Sequence, residues 1–117
     1  MKYMLLMYAD ESKGPQTPEE QKAHAPENWY ALMEEMKSAA VLVSNNGLSP
    51  VANATTVRVR EGKALITDGP FAETHEQLGG FFLLDCKDLD EALRWAAKIP
   101  SAQLGSIEVR PLWSPDA

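Results

Sequence analysis

The chain has 117 residues, of which 44% are hydrophobic and 24% charged, and its formal net charge is −6. This length predicts a single domain. The acidic balance argues against the basic patch that nucleic-acid binding requires, and against an anionic membrane surface as a partner. The single cysteine, Cys86, allows no internal disulfide, and the apolar run near residue 1 is too short to cross a bilayer. We therefore expect a cytoplasmic protein without a metal or cofactor.

The first predicted elements are a strand and a broken helix. Residues 3–9 ("YMLLMYA") are apolar at nearly every position, which predicts a strand covered on both faces. Thr17 followed by Pro18 and Glu20 predicts a helix start with a capping box. The helix is expected to run to about Ser38. It should bend or restart near Pro26, because a proline clashes with the carbonyl four residues before it.

The remaining elements alternate strands with one more helix. In chain order they are a strand (41–48), a hairpin (55–67), a strand that is apolar on both faces (79–86), a helix from Asp88 to about Pro100, and a strand (106–113). Gly79-Gly80 indicates a bulge or a close backbone approach. The order predicts a ferredoxin-like α+β domain over residues 1–113, of βαββαβ type with an inserted hairpin, followed by a tail at 114–117.

Two strands that are apolar on both faces predict an assembly. A ferredoxin-like sheet carries both helices on one face, so something else must cover the other. Monomers rarely expose a large apolar sheet to water. The simplest cover is a second copy of the chain, sheet facing sheet, and we therefore expect a homodimer.

The hairpin register singles out one carboxylate. A two-residue turn at Glu61-Gly62 makes Ala64, Ile66 and Asp68 point the same way. Asp68 then borders an apolar surface, where a carboxylate is a candidate for acid–base chemistry. The competing interpretation is a turn in which Asp68 hydrogen-bonds nearby backbone amides, since Asp-Gly-Pro is typical turn chemistry.

Besides Asp68, several other residues are candidates for the functional site or for contacts with this carboxylate. We predict that Asp68 is substantially buried, with a backbone amide or Arg110 as its partner. His24 precedes the helix break and is a candidate general base, or else an ordinary helix residue. Tyr8, at the end of the first strand, is a candidate for a cleft mouth. His75 lies in a polar loop, where a solvated side chain is the favoured interpretation.

The chain resembles the YCII-related proteins, and among them the subgroup named for its Asp-Gly-Pro-Phe motif. The resemblance rests on "MKYMLLMY", "TTVRVREGKALITDGPFAET", "EQLGGFFLLDCKDLDEALRWAAKIP" and "GSIEVRPL", which together cover nearly the whole chain. It implies a ferredoxin-like fold that pairs into a dimeric α+β barrel, with a cleft in each protomer. The histidine found on the first helix of some relatives corresponds to a position near Trp29 or Tyr30, not to His24.

The resemblance also implies a function. Some relatives carry a His–Asp pair proposed as acid and base, and one is linked to dehydrochlorination of chlorinated hydroquinones. We therefore expect a small-molecule enzyme that performs acid–base elimination on a small cyclic or phenolic substrate, with Asp68 and His24 as the catalytic candidates. The expected ligand-binding residues are Gly69, Pro70, Phe71, Glu73, Tyr8, Trp29 and Arg110.

Two alternatives to an enzyme stay open. One is a non-catalytic dimeric module that binds a ligand or regulates, since members of the subgroup are often encoded beside sigma factors of the stress response. The other is an accessory protein that binds another protein through the acidic loop after the hairpin. A cavity next to a perturbed carboxylate favours the enzyme, and a filled interior favours the interaction module.

Overall fold

The computed structural model describes residues 1–115 and shows the predicted order of elements. They are β1 (Lys2–Ala9), α1 (Pro18–Ala23), α2 (Pro26–Ser38), β2 (Leu42–Gly47), β3 (Thr55–Arg60), β4 (Lys63–Asp68), β5 (Gln77–Asp85), α3 (Leu89–Ala97) and β6 (Ser106–Pro111), with short 3₁₀ turns at Val51–Asn53 and Pro100–Gln103. The ferredoxin-like α+β prediction is confirmed. The boundary between domain and tail stays a prediction, and residues 116–117 of that tail lie outside the described part.

The first helix is interrupted where Pro26 predicts a break. Thr17 Oγ1 accepts a hydrogen bond from the Glu20 amide at 3.1 Å, and Glu20 Oε1 accepts one from the Thr17 amide at 2.9 Å, which completes the capping box. Helix α1 ends at Ala23 and α2 begins at Pro26. The break leaves His24 as the C-cap residue of α1 rather than inside a continuous helix.

The main sheet has the strand order β2-β5-β1-β6, with every neighbouring pair antiparallel. One face of it packs against α2 and α3. The buried hydrophobic side chains of this core are Tyr3, Leu5, Leu32, Met36, Val41, Phe82, Leu84, Cys86, Ala92, Ala96 and Ile99. The core therefore lies on one side of the sheet only.

The other side of the main sheet, called here the open sheet face, is also apolar at its centre. Met4 lies opposite Leu83, and Leu6 opposite Phe81, at the positions that alternate with the buried ones. All four side chains are partly exposed. The two-faced apolar character of β1 and β5 is confirmed, and the homodimer expected from it stays a prediction.

Gly79 and Gly80 mark two separate features of β5, a bulge and a close backbone approach. Met7 pairs with Gly80 and Tyr8 with Leu78, so Gly79 is the extra residue of a bulge. A Cβ on Gly80 would lie 2.7 Å from the Asn46 carbonyl oxygen, which is too close for any side chain. Both features that the glycine pair indicates, a bulge and a close backbone approach, are present.

Strands β3 and β4 form a separate two-stranded sheet, called here the hairpin arm (residues 55–68). Its turn has φ of 52° at Glu61 and 76° at Gly62, as in the tight turns that match strand twist. Val57 pairs with Ile66, as the predicted register requires. Val59 pairs with Ala64, so the register is confirmed in full.

The predicted burial of Asp68, at the end of this hairpin, is wrong. Val57, Val59 and Ile66 are 60%, 63% and 70% exposed, and Asp68 at the end of the same face is exposed too. Among the described residues, no other helix or strand packs extensively against the arm. The radius of gyration is 16.4 Å, whereas a compact domain of this length has about 13 Å. The arm stands away from the body, so its alternating pattern faces solvent instead of a core.

Candidate functional site

A cleft of about 560 Å³ opens between the sheet and the junction of α1 with α2. The floor comes from β1, β2 and β5, and the wall from the first two turns of α2. Its lining residues are Met7, Tyr8, Ala9, Glu11, His24, Pro26, Trp29, Tyr30, Met33, Asn45, Asn46, Gly47, Gln77, Gly79, Phe81, Phe82 and Ser101. The Trp29 ring lies nearly parallel to that of Phe82, with centroids 6.5 Å apart. The cleft is therefore mostly apolar and partly aromatic.

His24 is the histidine that lines this cleft. Its Nδ1 lies 3.1 Å from the backbone carbonyl oxygen of Glu20. A carbonyl oxygen only accepts hydrogen bonds, so Nδ1 carries the proton and Nε2 is the acceptor of the neutral ring. Within residues 1–115, Nε2 has no hydrogen-bond partner. When the ring is neutral, this contact leaves Nε2 as the nitrogen that can accept a proton.

The capping box of α1 holds this arrangement in place. Hydrogen bonds from the backbone amides of Thr17 and Gln16 to the Glu20 carboxylate lower its pKa below the ordinary value. The same residue presents the carbonyl oxygen that fixes the His24 ring. The side-chain cap at the start of this six-residue helix therefore stabilises the turn whose Glu20 carbonyl orients the His24 ring.

A few polar side chains in the lining of the cleft are held by hydrogen bonds. The Glu11 amide donates to Oε1 of Gln77 at 2.8 Å, and the Glu11 carboxylate accepts from the Val51 amide at 3.2 Å. Asn45 Nδ2 lies 3.1 Å from Sδ of Met33. An apolar cleft with a few fixed polar groups is typical of a small-molecule site, where those groups orient the ligand.

The structure divides the predicted site residues into two groups. It brings three of them, His24, Tyr8 and Trp29, together in the cleft. Those that do not line it are Asp68, Gly69, Pro70, Phe71, Glu73 and Arg110. The predicted burial and hydrogen bond of Asp68 are wrong: in the described chain its side chain is exposed and neither a backbone amide nor Arg110 bonds to it. The reason is that β4 ends on the arm, away from the body.

The Asp-Gly-Pro-Phe motif forms a turn fastened to β3. The Gly69 amide donates to the Ala54 carbonyl at 2.7 Å, and the Gly69 carbonyl accepts from Thr56 Oγ1 at 2.8 Å. Arg58 Nη2 donates to the Phe71 carbonyl at 3.0 Å. Gly69 has φ of 94°, which favours glycine. The backbone is fixed, while the Phe71 side chain is 73% exposed.

Sequence reasoning missed several lining residues. The helical spacing of Trp29 and Met33 marks the face of α2 that turns to the sheet, and Tyr30 borders that face. Asn45 and Asn46 interrupt an otherwise apolar strand, which was an available signal of a polar spot. Glu11 lies in a loop whose path no local pattern predicts.

Other kinds of site find no support in the described chain. Within residues 1–115, no group of three or more His, Cys, Asp or Glu side chains is arranged to hold a metal ion. Across the same residues, no helix combines the length and apolar character needed to traverse a bilayer. Cys86 is buried, and burial raises the pKa of its thiol, which disfavours the reactive thiolate.

Comparisons with known proteins cover almost the entire chain. The pattern of the YCII-related domain matches residues 1–115. An uncharacterized protein of Rhizobium meliloti is 40% identical over 114 residues, which is 96% of this chain and 92% of that protein. Among solved structures, 5-chloro-2-hydroxyhydroquinone dehydrochlorinase from Burkholderia phenoliruptrix, in complex with 2,5-dihydroxybenzoquinone, matches with a TM-score of 0.48 and 12% identity, over 99% of this chain and 97% of that one.

Proposed function

The chain belongs to the family of YCII-related domains, and we propose that it is a small-molecule enzyme whose cleft binds a small ring compound and uses His24 as a general base. The observation that supports this most is the position of His24 in an apolar cleft, with Nδ1 hydrogen-bonded to a carbonyl and Nε2 without a partner in residues 1–115. A volume of about 560 Å³ falls in the usual range for ligand pockets.

The walls of the cleft suit a flat, hydroxylated ring. Trp29 and Tyr30 offer aromatic surface on one side, and aromatic pairs favour offset stacking beyond the area they bury. Glu11 and Asn45 in the lining can hydrogen-bond to ring hydroxyls or carbonyls. The proposed substrate is therefore a small cyclic or phenolic compound, with its polar groups toward these side chains.

The proposed reaction is proton abstraction followed by elimination. The elimination acts on a keto tautomer of the ring, in which the carbon that bears the leaving group is saturated. Nε2 of His24 takes the proton of a ring hydroxyl, the electrons of the O–H bond form a carbonyl, the adjacent ring double bond shifts toward the saturated carbon, and the leaving group departs as an anion with its bonding pair. Imidazole suits this role near neutral pH. Asp68 does not line the cleft, so the catalytic role predicted for it has no support from the single chain.

The test uses 2,5-dihydroxybenzoquinone as a binding probe and a chlorinated hydroxyhydroquinone as a substrate. Trp29→Leu should weaken probe binding about tenfold through lost aromatic contact. His24→Gln keeps a polar side chain but no base, so it should retain probe binding and lower kcat by a factor of about 100 or more. His75→Gln is the matched control and should leave both unchanged. Wild-type kcat surviving in His24→Gln would contradict the proposal.

A non-catalytic ligand-binding module is the second candidate. The observation that favours it is that the cleft, as the described residues form it, lacks the carboxylate partner predicted for a His–Asp pair. This candidate predicts probe binding that depends on Trp29, with no turnover in the wild type. The regulatory role beside sigma factors stays a prediction.

We also propose that the working unit is a homodimer. The open sheet face carries partly exposed Met4, Leu6, Phe81 and Leu83 at its centre, and apolar surface of this kind favours burial against another protein surface. Two copies related by a twofold axis use the same patch on each side. Sedimentation at micromolar concentration should show a dimer, and a stable folded monomer would contradict this.

A further inference from the structure

The Asp-Gly-Pro-Phe turn is fastened to one face of the hairpin arm, and the other face is bare. Thr56 and Arg58, on the first face, hold the Asp-Gly-Pro-Phe turn against it through hydrogen bonds to the turn's carbonyl oxygens. The opposite face carries Val57, Val59, Ala64 and Ile66, and all four are exposed. A two-stranded ribbon is marginally stable by itself, so this apolar face needs a partner surface.

Two opposite charges border the apolar face of the arm and the open sheet face. Asp68 ends the apolar face of the arm, directly opposite Thr55. Arg110 lies on the open sheet face, opposite Met4 on the edge strand β6. Within residues 1–115, neither side chain has a hydrogen bond or an ion pair. Both surfaces are apolar, and Asp68 and Arg110 carry opposite charges; Glu108, opposite Leu6, also lies on the open sheet face.

We propose that the arm of one copy lies across the β6 side of the open sheet face of a second copy, with Asp68 paired to the partner's Arg110. This inference rests on the proposed homodimer and specifies how it is built. A twofold axis repeats the contact, so both arms and both sheet faces are covered at once. The extended shape, with a radius of gyration of 16.4 Å, is then that of a protomer whose arm belongs on its neighbour.

In this dimer the Asp-Gly-Pro-Phe motif serves assembly rather than catalysis. The turn fixes the root of the arm through the Gly69–Ala54 hydrogen bond and places Asp68 at the end of the apolar face. A fixed backbone with exposed side chains is what a preorganised contact requires, because little conformational entropy is lost when it binds.

Two adjacent leucine-sized residues on opposite faces of the arm supply a matched test. Ile66 is 70% exposed on the apolar face, and Leu65 is 49% exposed on the face of Arg58. Ile66→Asp should raise the dimer dissociation constant about 100-fold, because it buries an unpaired charge at the interface. Leu65→Asp adds the same charge outside the interface and should change the constant by less than about threefold.

A charge swap tests the Asp68–Arg110 pair directly. Asp68→Arg and Arg110→Asp each place like charges against each other twice per dimer, and each should weaken self-association about tenfold or more. An equimolar mixture of the two variants restores opposite charges at both contacts and should form a heterodimer close to wild-type affinity. Arg60→Asp, on the other face of the arm, is the matched control and should dimerise normally.

The outcomes separate this inference from the proposals on which it rests. A monomeric wild type would overturn both the homodimer and the arm contact. A dimer that tolerates Ile66→Asp as well as Leu65→Asp would overturn the arm contact and leave the dimer through the sheets. A mixture that associates no better than the single variants would overturn the ion pair. None of these results changes the expectation for His24 in the cleft.

Discussion

The main sheet and the hairpin arm have similar alternating patterns of apolar residues, but one set of these side chains is buried in the sheet, whereas those of the arm are exposed. In β1 and β5, one set of alternate side chains is buried under α2 and α3, and Leu5 and Leu84 are fully inaccessible. In the arm, the same kind of alternation leaves Val57 and Ile66 mostly exposed. The difference is the second layer: α2 and α3 cover one face of the main sheet, whereas no other helix or strand of the described chain packs extensively against the arm. A strand pattern therefore specifies register, while burial depends on what lies across from it.

The strongest contrast between the two regions should appear when a phenylalanine is removed from each. Phe82→Ala empties a position that is 1% exposed and should lower the free energy of unfolding by about 3–5 kcal/mol. Phe71→Ala removes an exposed ring and should cost less than about 0.5 kcal/mol in the protomer. Urea denaturation of both variants measures the difference. Equal losses would show that the Asp-Gly-Pro-Phe turn is part of the core.

The contrast between the main sheet and the arm shows which parts of the fold the sequence predicts. Side-chain alternation predicts the approximate strand bounds and the hairpin register. Caps predict the starts of α1 and α3, and proline geometry predicts the break at Pro26. The position of the arm does not, because it depends on contacts between distant segments that no short pattern encodes. The register places Asp68 correctly on the apolar face, but register alone does not reveal that the second layer needed to bury this side chain is absent from the described chain.

The candidate site was predictable to a similar, partial extent. His24, Tyr8 and Trp29 each occupy a recognisable place, at a helix end, at a strand end and on a helix face, and the structure brings them into one cleft. The motif residues that resemblance favoured lie elsewhere. Their spacing in the chain indicates a shared turn, and a shared turn does not specify which surface it faces.

A second comparison uses adjacent glycines of β5. A methyl group on Gly80 would lie 2.7 Å from the Asn46 carbonyl oxygen, whereas on Gly79 the nearest atom is 3.9 Å away. Gly80→Ala should therefore destabilise the fold by about 1–3 kcal/mol through overpacking between β2 and β5. Gly79→Ala should cost clearly less. Thermal unfolding of the two variants measures this, and a reversed order would contradict the register of the main sheet.

The smallest expected effect concerns pH and the cap that positions His24. Hydrogen bonds lower the pKa of Glu20 below its ordinary value of 4.5, so the folded state binds a proton less readily than the unfolded state. The resulting stabilisation is present above pH 4.5 and is lost as the pH falls through the lowered pKa. Glu20→Gln should flatten this part of the stability profile.

The flattening should be incomplete, because a second carboxylate acts in the same direction. Hydrogen bonds from the Ser12 hydroxyl and amide lower the pKa of Asp10. Asp10→Asn is therefore the natural comparison in chemical denaturation between pH 3 and pH 6, a window that brackets ordinary carboxyl pKa values of about 4. A profile for Glu20→Gln identical to that of the wild type would show that the capping box contributes nothing to acid stability.

The central claim, that the cleft at His24 is the functional site, has a direct test because the chain has only two histidines. Nitrogen-15 NMR of the imidazole groups during titration with 2,5-dihydroxybenzoquinone reports on both at once. We expect the Nε2 signal of His24 to shift as the probe binds, while the signals of His75, exposed in the loop before β5, stay in place. A probe that binds without shifting the His24 signal, or that shifts the His75 signal instead, would contradict the assignment of the cleft as the functional site.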